Sequence, residues 1–260
     1  MSGVRLAQEG PLAILQLASP QVRNALSQQT VDELISHLSR LRTEPVRAVI
    51  LTGEGGHFCA GAHLQELAES LQDPGAGQRE ATRLAALYAA LLHFPHLTVA
   101  AVEGAAYGGG AGLACACDFV VASPSAQLQF SELRLGFVPA LIAVFLTRRL
   151  PPARLAQLFL NPQPLAASQA QELGLVDQVV EDALAGARKL ALEVLSKSAP
   201  SAVTACKRLL LELSHPQLDQ QLARAAQVNA QQRQQEDFRV GVQYFLQHKQ
   251  FRPWVEAADS

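Results

Sequence analysis

The sequence predicts an α/β fold whose last third is helical. Short β-type apolar runs alternate with amphipathic helical stretches through the first half, and after about residue 183 the strand pattern disappears. A third observation marks where such a fold would place its chemistry: two glycine-bearing segments each stand between an apolar run and a helical stretch.

The N-terminal residues lead directly into a short strand pattern, and 12–17 is the first clear apolar run. Residues 30–41 are expected to be helical because Val31, Leu34, Ile35, Leu38 and Leu41 recur at helical spacing. A buried-type strand over 46–52 then runs into a turn from Gly53 to Gly56 and a small-residue loop at Phe58-Cys59-Ala60-Gly61-Ala62. Between that loop and an Ala- and Leu-rich helix over 79–92, the polar, glycine-rich stretch 71–77 reads as a mobile loop. Strands are expected at 99–102 and 119–122, separated by the glycine triplet Gly108, Gly109 and Gly110. Beyond residue 183, Pro200, Pro216 and Pro253 punctuate stretches rich in Ala, Leu, Gln and Arg.

Composition limits what such a fold does. The chain has 260 residues, of which 49% are hydrophobic, enough for a packed core in one large or two smaller domains. A formal net charge of -2 and the lack of any Lys/Arg block disfavour nucleic acid as a partner. No apolar run reaches membrane-spanning length, and the first residues lack the apolar core of a secretory signal, so a cytoplasmic protein is expected. Cys59, Cys115, Cys117 and Cys206 all sit in apolar or small-residue contexts and read as reduced core filler; no metal site is expected from their spacing.

The glycine segments bare backbone N–H groups at the starts of helices, where the first donors have no intrahelical partner and negative charge is favoured. Phosphate is the first ligand to consider, but the spacing fits neither a dinucleotide fingerprint nor a P-loop. Two such corners converging on one oxygen would instead stabilise a thioester enolate, whose charge gathers on the carbonyl oxygen.

The motifs together are more specific. Phe58-Cys59-Ala60-Gly61-Ala62-His63-Leu64, Gly104-Ala105-Ala106-Tyr107-Gly108-Gly109-Gly110-Ala111-Gly112-Leu113-Ala114 and Ser131-Glu132-Leu133-Arg134-Leu135-Gly136-Phe137-Val138-Pro139 resemble the crotonase (enoyl-CoA hydratase/isomerase) superfamily. Arg23-Asn24-Ala25-Leu26 and Ala170-Gln171-Glu172-Leu173-Gly174-Leu175-Val176 extend the match in order along nearly the whole chain. The resemblance implies a spiral of ββα units over 1–198, followed by a helical oligomerisation region over 199–260 that forms trimers or hexamers built as two stacked trimers.

It also implies site residues. The thioester oxygen would lie between the N–H groups of Ala62 and Gly109, with Glu132 as the acid/base. CoA would be met by backbone around Ala60, Ala62 and Leu64, by Arg23, and by Lys249 near Phe245 and Trp254; His63 stands where many relatives have aspartate and would contact CoA or pack against the loop. Gly108 belongs to the same wall, and Leu141, with Ile142, Val144 and Phe145, suggests an apolar helix beside the acyl group. No cofactor is implied beyond the CoA thioester, which is the substrate.

One departure divides the reactions. Hydratases of this kind commonly carry a first glutamate just after the glycine triplet, and that position here is Gly112. A branch with glycine there favours addition of water to a 2-enoyl-CoA, with Glu66, Glu69 or Asp73 as sources of a second polar group. The alternatives are an isomerase moving a double bond from 3-enoyl to 2-enoyl with Glu132 alone, and a non-catalytic acyl-CoA-binding or scaffold protein.

Overall fold

In a computed structural model, which describes residues 3–73 and 75–255, the chain winds a six-stranded sheet against a smaller second layer. The sheet begins with a hairpin of β1 (Val4–Glu9) and β2 (Leu12–Leu17), turned at Gly10, where φ is +57°. It continues in parallel through β3 (Ala48–Gly53), β4 (Leu97–Val102), β6 (Phe119–Ala122) and β9 (Gln178–Val179). Strands buried on both faces need apolar residues at successive positions, and β3 and β4 supply them.

Helices cover both faces. On one side lies α1 (Gln28–Leu41), which packs Val31, Leu34, Leu38 and Leu41 inward and is capped at its start by Ser27, whose Oγ accepts from the Thr30 N–H. That cap moves the start two residues ahead of the apolar periodicity. On the same side, a short α2 (Leu64–Glu69) precedes α3 (Ala76–Leu92). On the other side, α8 (Ala183–Lys197) lays Ala183, Ala187, Ala191 and Leu195 against Ile14, Ile50 and Val99.

The second layer positions the site. β5 (Ala105–Tyr107) pairs in parallel with β7 (Gln127–Gln129), which pairs antiparallel with β8 (Leu165–Ala166). Parallel bridges from Leu26 to Ala62 and from Cys59 to Ala106 carry this layer towards the N-terminal units. Each turn of the chain thus passes from a main-sheet strand into the small layer before its helix. The two glycine corners emerge side by side.

Later helices close over that edge. α5 (Ala140–Leu146), α6 (Pro152–Leu160) and α7 (Ala167–Glu172) lead back to β9, and α9 (Pro200–Ser214), α10 (Leu218–Arg233) and α11 (Glu236–His248) follow α8. α10 packs on α3 and α5, placing Leu218, Leu222 and Ala226 in the same apolar core as the sheet. α11 lies on the turn that carries Glu132 at backbone contact: a Cβ on Gly241 would stand 2.4 Å from the Leu135 carbonyl oxygen.

Two expectations need correction. Cys59, Cys115 and Cys117 are buried, but Cys206, on α9, is exposed, because its helix turns that face away from the core. The stretch 71–77 is largely structured: a 3-10 turn occupies Ser70–Gln72, Asp73 accepts from the Gly75 N–H and pairs with Arg79, and α3 starts at Ala76, whereas Pro74 lies outside the described residues. Among the described residues, no helix is long and apolar enough to cross a membrane.

Candidate active site

The second glycine corner is built by α4 (Gly109–Ala116), which starts where β5 ends. Gly108 turns the chain with φ +50° and donates its N–H to the Gln129 carbonyl at 2.7 Å, fixing the turn to β7. At the far end of α4, Arg148 and Arg149 donate to the carbonyls of Cys115, Ala116, Cys117 and Asp118. These orphan acceptors are thereby satisfied, and the helix presents its positive N-terminal end to the cavity.

The first corner reaches it through Gly61. This residue has φ +88°, and a Cβ there would stand 2.6 Å from the Tyr107 carbonyl oxygen and 3.3 Å from the Gly109 nitrogen. Only glycine permits both the backbone angle and the approach. Ala60 and Gly61 are tied to the N-terminal segment, the Ala60 N–H donating to the Arg23 carbonyl and the Leu26 N–H to the Gly61 carbonyl. Among the described residues no protein acceptor takes the N–H of Ala62 or Gly109, so the two corners expose free donors on touching loops.

Glu132 lies over the same corner, in a 3-10 turn at Glu132–Leu135. A Cβ built on Gly108 would be 3.2 Å from its Oε1. The residue is only 8% exposed, and its Oε2 has no hydrogen-bond partner. Burial pushes the carboxyl up to about 7, against the pull of its own backbone N–H. Arg134 does not neutralise it, since that guanidinium stacks over the Phe251 ring, 3.9 Å from its centroid. Leu135, Phe137 and Val138 line the cavity beside the carboxylate, whereas Leu133 does not.

The cavity holds about 740 Å³ and brings together Arg23, Ala60, Ala62, His63, Leu64, Gly108, Gly109, Glu132, Leu141 and Lys249. Arg23 and Lys249 are exposed cations at its rim. The His63 ring acts locally, its Nδ1 accepting from the Glu66 N–H at 3.3 Å and so capping α2. Leu141 and Ile142 face the cavity, while Phe145 packs against the ring of Tyr88, 5.0 Å between centroids, and Val144 uses its carbonyl to hold His215. The apolar wall is thus shorter than the sequence pattern suggested.

The space beside Gly112 is occupied from another helix. A Cβ on Gly112 would stand 2.8 Å from the Tyr88 hydroxyl and 2.8 Å from Ile142 Cγ1, leaving no room for a glutamate. Tyr88, fully buried on α3, donates to the Gly109 carbonyl at 3.0 Å and lines the cavity. Burial and then the negative charge of Glu132 hold its hydroxyl well above the ordinary tyrosine range, so it stays protonated. Of the acids expected to compensate for Gly112, Glu66 lines the cavity while its carboxylate accepts from the Gln28 N–H, whereas Glu69 accepts from Gln65 and Asp73 from Arg79 outside it. Nothing in the sequence around Gly112 points to Tyr88, which sits 24 positions upstream in a helix whose apolar residues are otherwise core.

A buried carboxyl with an unpartnered Oε2 and two free backbone donors in one cavity can move a proton beside a developing oxyanion. Cys59 adds no nucleophile, because burial pushes its thiol up to about 12.

Comparison with known proteins gives the family. The enoyl-CoA hydratase/isomerase family model matches residues 7–256. A Thermus thermophilus protein named as a candidate enoyl-CoA hydratase is 38% identical over 93% of this chain and 97% of its own length. The 2,3-dehydroadipyl-CoA hydratase of Escherichia coli is 32% identical over 96% of this chain and 97% of its own. The crystal structure of an enoyl-CoA hydratase from Mycobacterium avium superposes with a TM-score of 0.85 at 30% identity, covering 98% of this chain and 100% of that one. The chain belongs to the enoyl-CoA hydratase/isomerase family and has the crotonase fold.

Proposed function

We propose that the protein adds water to a 2-enoyl-CoA thioester, with Glu132 as the acid/base and Tyr88 as a buried positioning residue for the Gly109 corner. The observation that carries this reading is the buried Glu132 carboxyl, its Oε2 unpartnered, lying over Gly108, one residue from the free Gly109 N–H. In the ionised form Glu132 takes a proton from water as the oxygen bonds to the β-carbon. The electrons of the double bond pass onto the thioester oxygen, which the Ala62 and Gly109 N–H groups hold. Glu132 then returns the proton to the α-carbon, closing the balance with a single carboxyl. Tyr88 donates its proton to the Gly109 carbonyl and so fixes the first turn of α4, the turn that carries the free Gly109 N–H.

Arg23 and Lys249 would meet the CoA phosphates at the rim, and Ala60, His63 and Leu64 would flank its adenine end. No further cofactor is called for, because charge is stabilised by backbone dipoles. Oligomerisation as a homotrimer, or a hexamer of two trimers, is supported by α9, where Leu209, Leu210 and Leu213 are exposed.

The test is product identity from panels of 2-enoyl-CoA and 3-enoyl-CoA thioesters, including a 3-methylglutaconyl thioester. A 3-hydroxyacyl-CoA formed from a 2-enoyl substrate is expected. Conversion of 3-enoyl to 2-enoyl thioester without hydration would assign an isomerase instead, and binding without turnover a scaffold.

A further inference from the structure

Glu132 is not the only cavity residue with an unpartnered buried atom. Of six such side-chain atoms among the described residues, four belong to residues that line the cavity: Glu132 Oε2, Glu80 Oε1, Asn229 Oδ1 and Arg233 Nε. The last three form one cluster. Glu80 Oε2 accepts from Arg233 Nη1 at 2.5 Å, with both side chains 12% exposed, and Asn229 lies one turn before Arg233 on α10 at 5% exposure.

An ion pair that served only to fasten α3 to α10 would need its remaining polar atoms satisfied to offset desolvation. Here three are left open, and each carries the cost of a desolvated polar atom without a partner. The position is also suggestive. Glu80 precedes Tyr88 by eight residues on α3, about 12 Å along the axis, and Leu84 lines the cavity between them. A medium-chain acyl group with its reacting carbons at Tyr88 and Glu132 would pass Leu84 and end at this cluster.

We propose that Glu80, Asn229 and Arg233 form a subsite for a hydroxyl group at the far end of the substrate's acyl chain; the direction of the chain rests on the hydratase reading above. A methyl end would leave all three atoms without partners. A carboxylate would gain from Arg233 but be repelled by Glu80, which already neutralises that arginine. A hydroxyl is neutral, accepts from Arg233 Nε and donates to one of the two open acceptors, Glu80 Oε1 or Asn229 Oδ1.

Calorimetric binding of three saturated thioesters tests the subsite without requiring turnover: octanoyl-CoA, its ω-hydroxy form and its ω-carboxy form. The ω-hydroxy thioester should bind the native protein at least about tenfold more tightly than octanoyl-CoA. That preference should fall to within about twofold in Asn229→Leu and in the paired Glu80→Leu/Arg233→Met variant, which removes both charges together. Equal affinities in the native protein, tightest binding of the ω-carboxy form, or a hydroxyl preference that survives in Asn229→Leu and in any folded paired variant would each overturn the assignment. Turnover on the enoyl panels is read separately. Hydration without hydroxyl preference rejects the subsite alone, whereas hydroxyl preference in binding without hydration rejects the reaction and retains the subsite.

Discussion

Glu132 and Tyr88 are matched by environment rather than by type. Burial lifts the carboxyl to about 7, so it can hold or release a proton near neutral pH, while the same burial keeps the phenol protonated. Glu132 was legible because its motif stands in register with the glycine corners. Tyr88 was not, because nothing in a helix sequence says which of its buried residues will touch Gly109. His63 shows the same limit, since its capping of α2 depends on the loop geometry around Gly61 and Ala62. If Tyr88 positions the Gly109 N–H, Tyr88→Phe should lower kcat for hydration by about tenfold or more with little change in KM. Loss of its hydrogen bond should cost only about 1 kcal/mol of stability. Steady-state kinetics beside denaturant unfolding separate the two, and lowered stability with unchanged kcat would reduce Tyr88 to a structural residue.

At the scale of elements, α4 joins the chemistry to the core. Its start presents Gly109 to the cavity, its end is held by Arg148 and Arg149, and its middle packs so closely that Gly112 meets Tyr88 and Ile142. β2, β3, β4 and β6 were readable as apolar runs of four to six residues and α1 from its helical spacing, whereas β9, of two residues, was not. β5, β7 and β8, of two or three residues, carry no measurable period, although they place both corners. The packing around Gly112 also settles what restoring the missing acid would do. Gly112→Glu should cost about 1 to 3 kcal/mol through overpacking alone, and more through a second buried carboxyl beside Glu132, with no gain in hydration. Urea unfolding measures the cost; native stability combined with faster hydration would show that the Tyr88 and Ile142 contacts yield.

For the whole molecule, the C-terminal helices complete the cavity that the spiral opens. α10 brings Asn229 and Arg233 to α3, α11 rests on the Glu132 turn, and Lys249 follows at the rim. The division of the sequence into core and helical region is therefore crossed by the site itself, a consequence of packing that composition alone does not reveal. The central claim is that one buried carboxyl, ionising near neutrality, drives hydration. Its most direct test is the pH dependence of kcat/KM for a 2-enoyl-CoA from about pH 5 to about pH 9, measured on the native protein and on Glu132→Gln. The reaction starts from the ionised carboxyl, so the native rate should rise with pH through a midpoint near 7. The glutamine variant should lose about a hundredfold or more and the associated inflection. A flat native profile, or a folded variant that keeps both the rate and the inflection, would contradict the account.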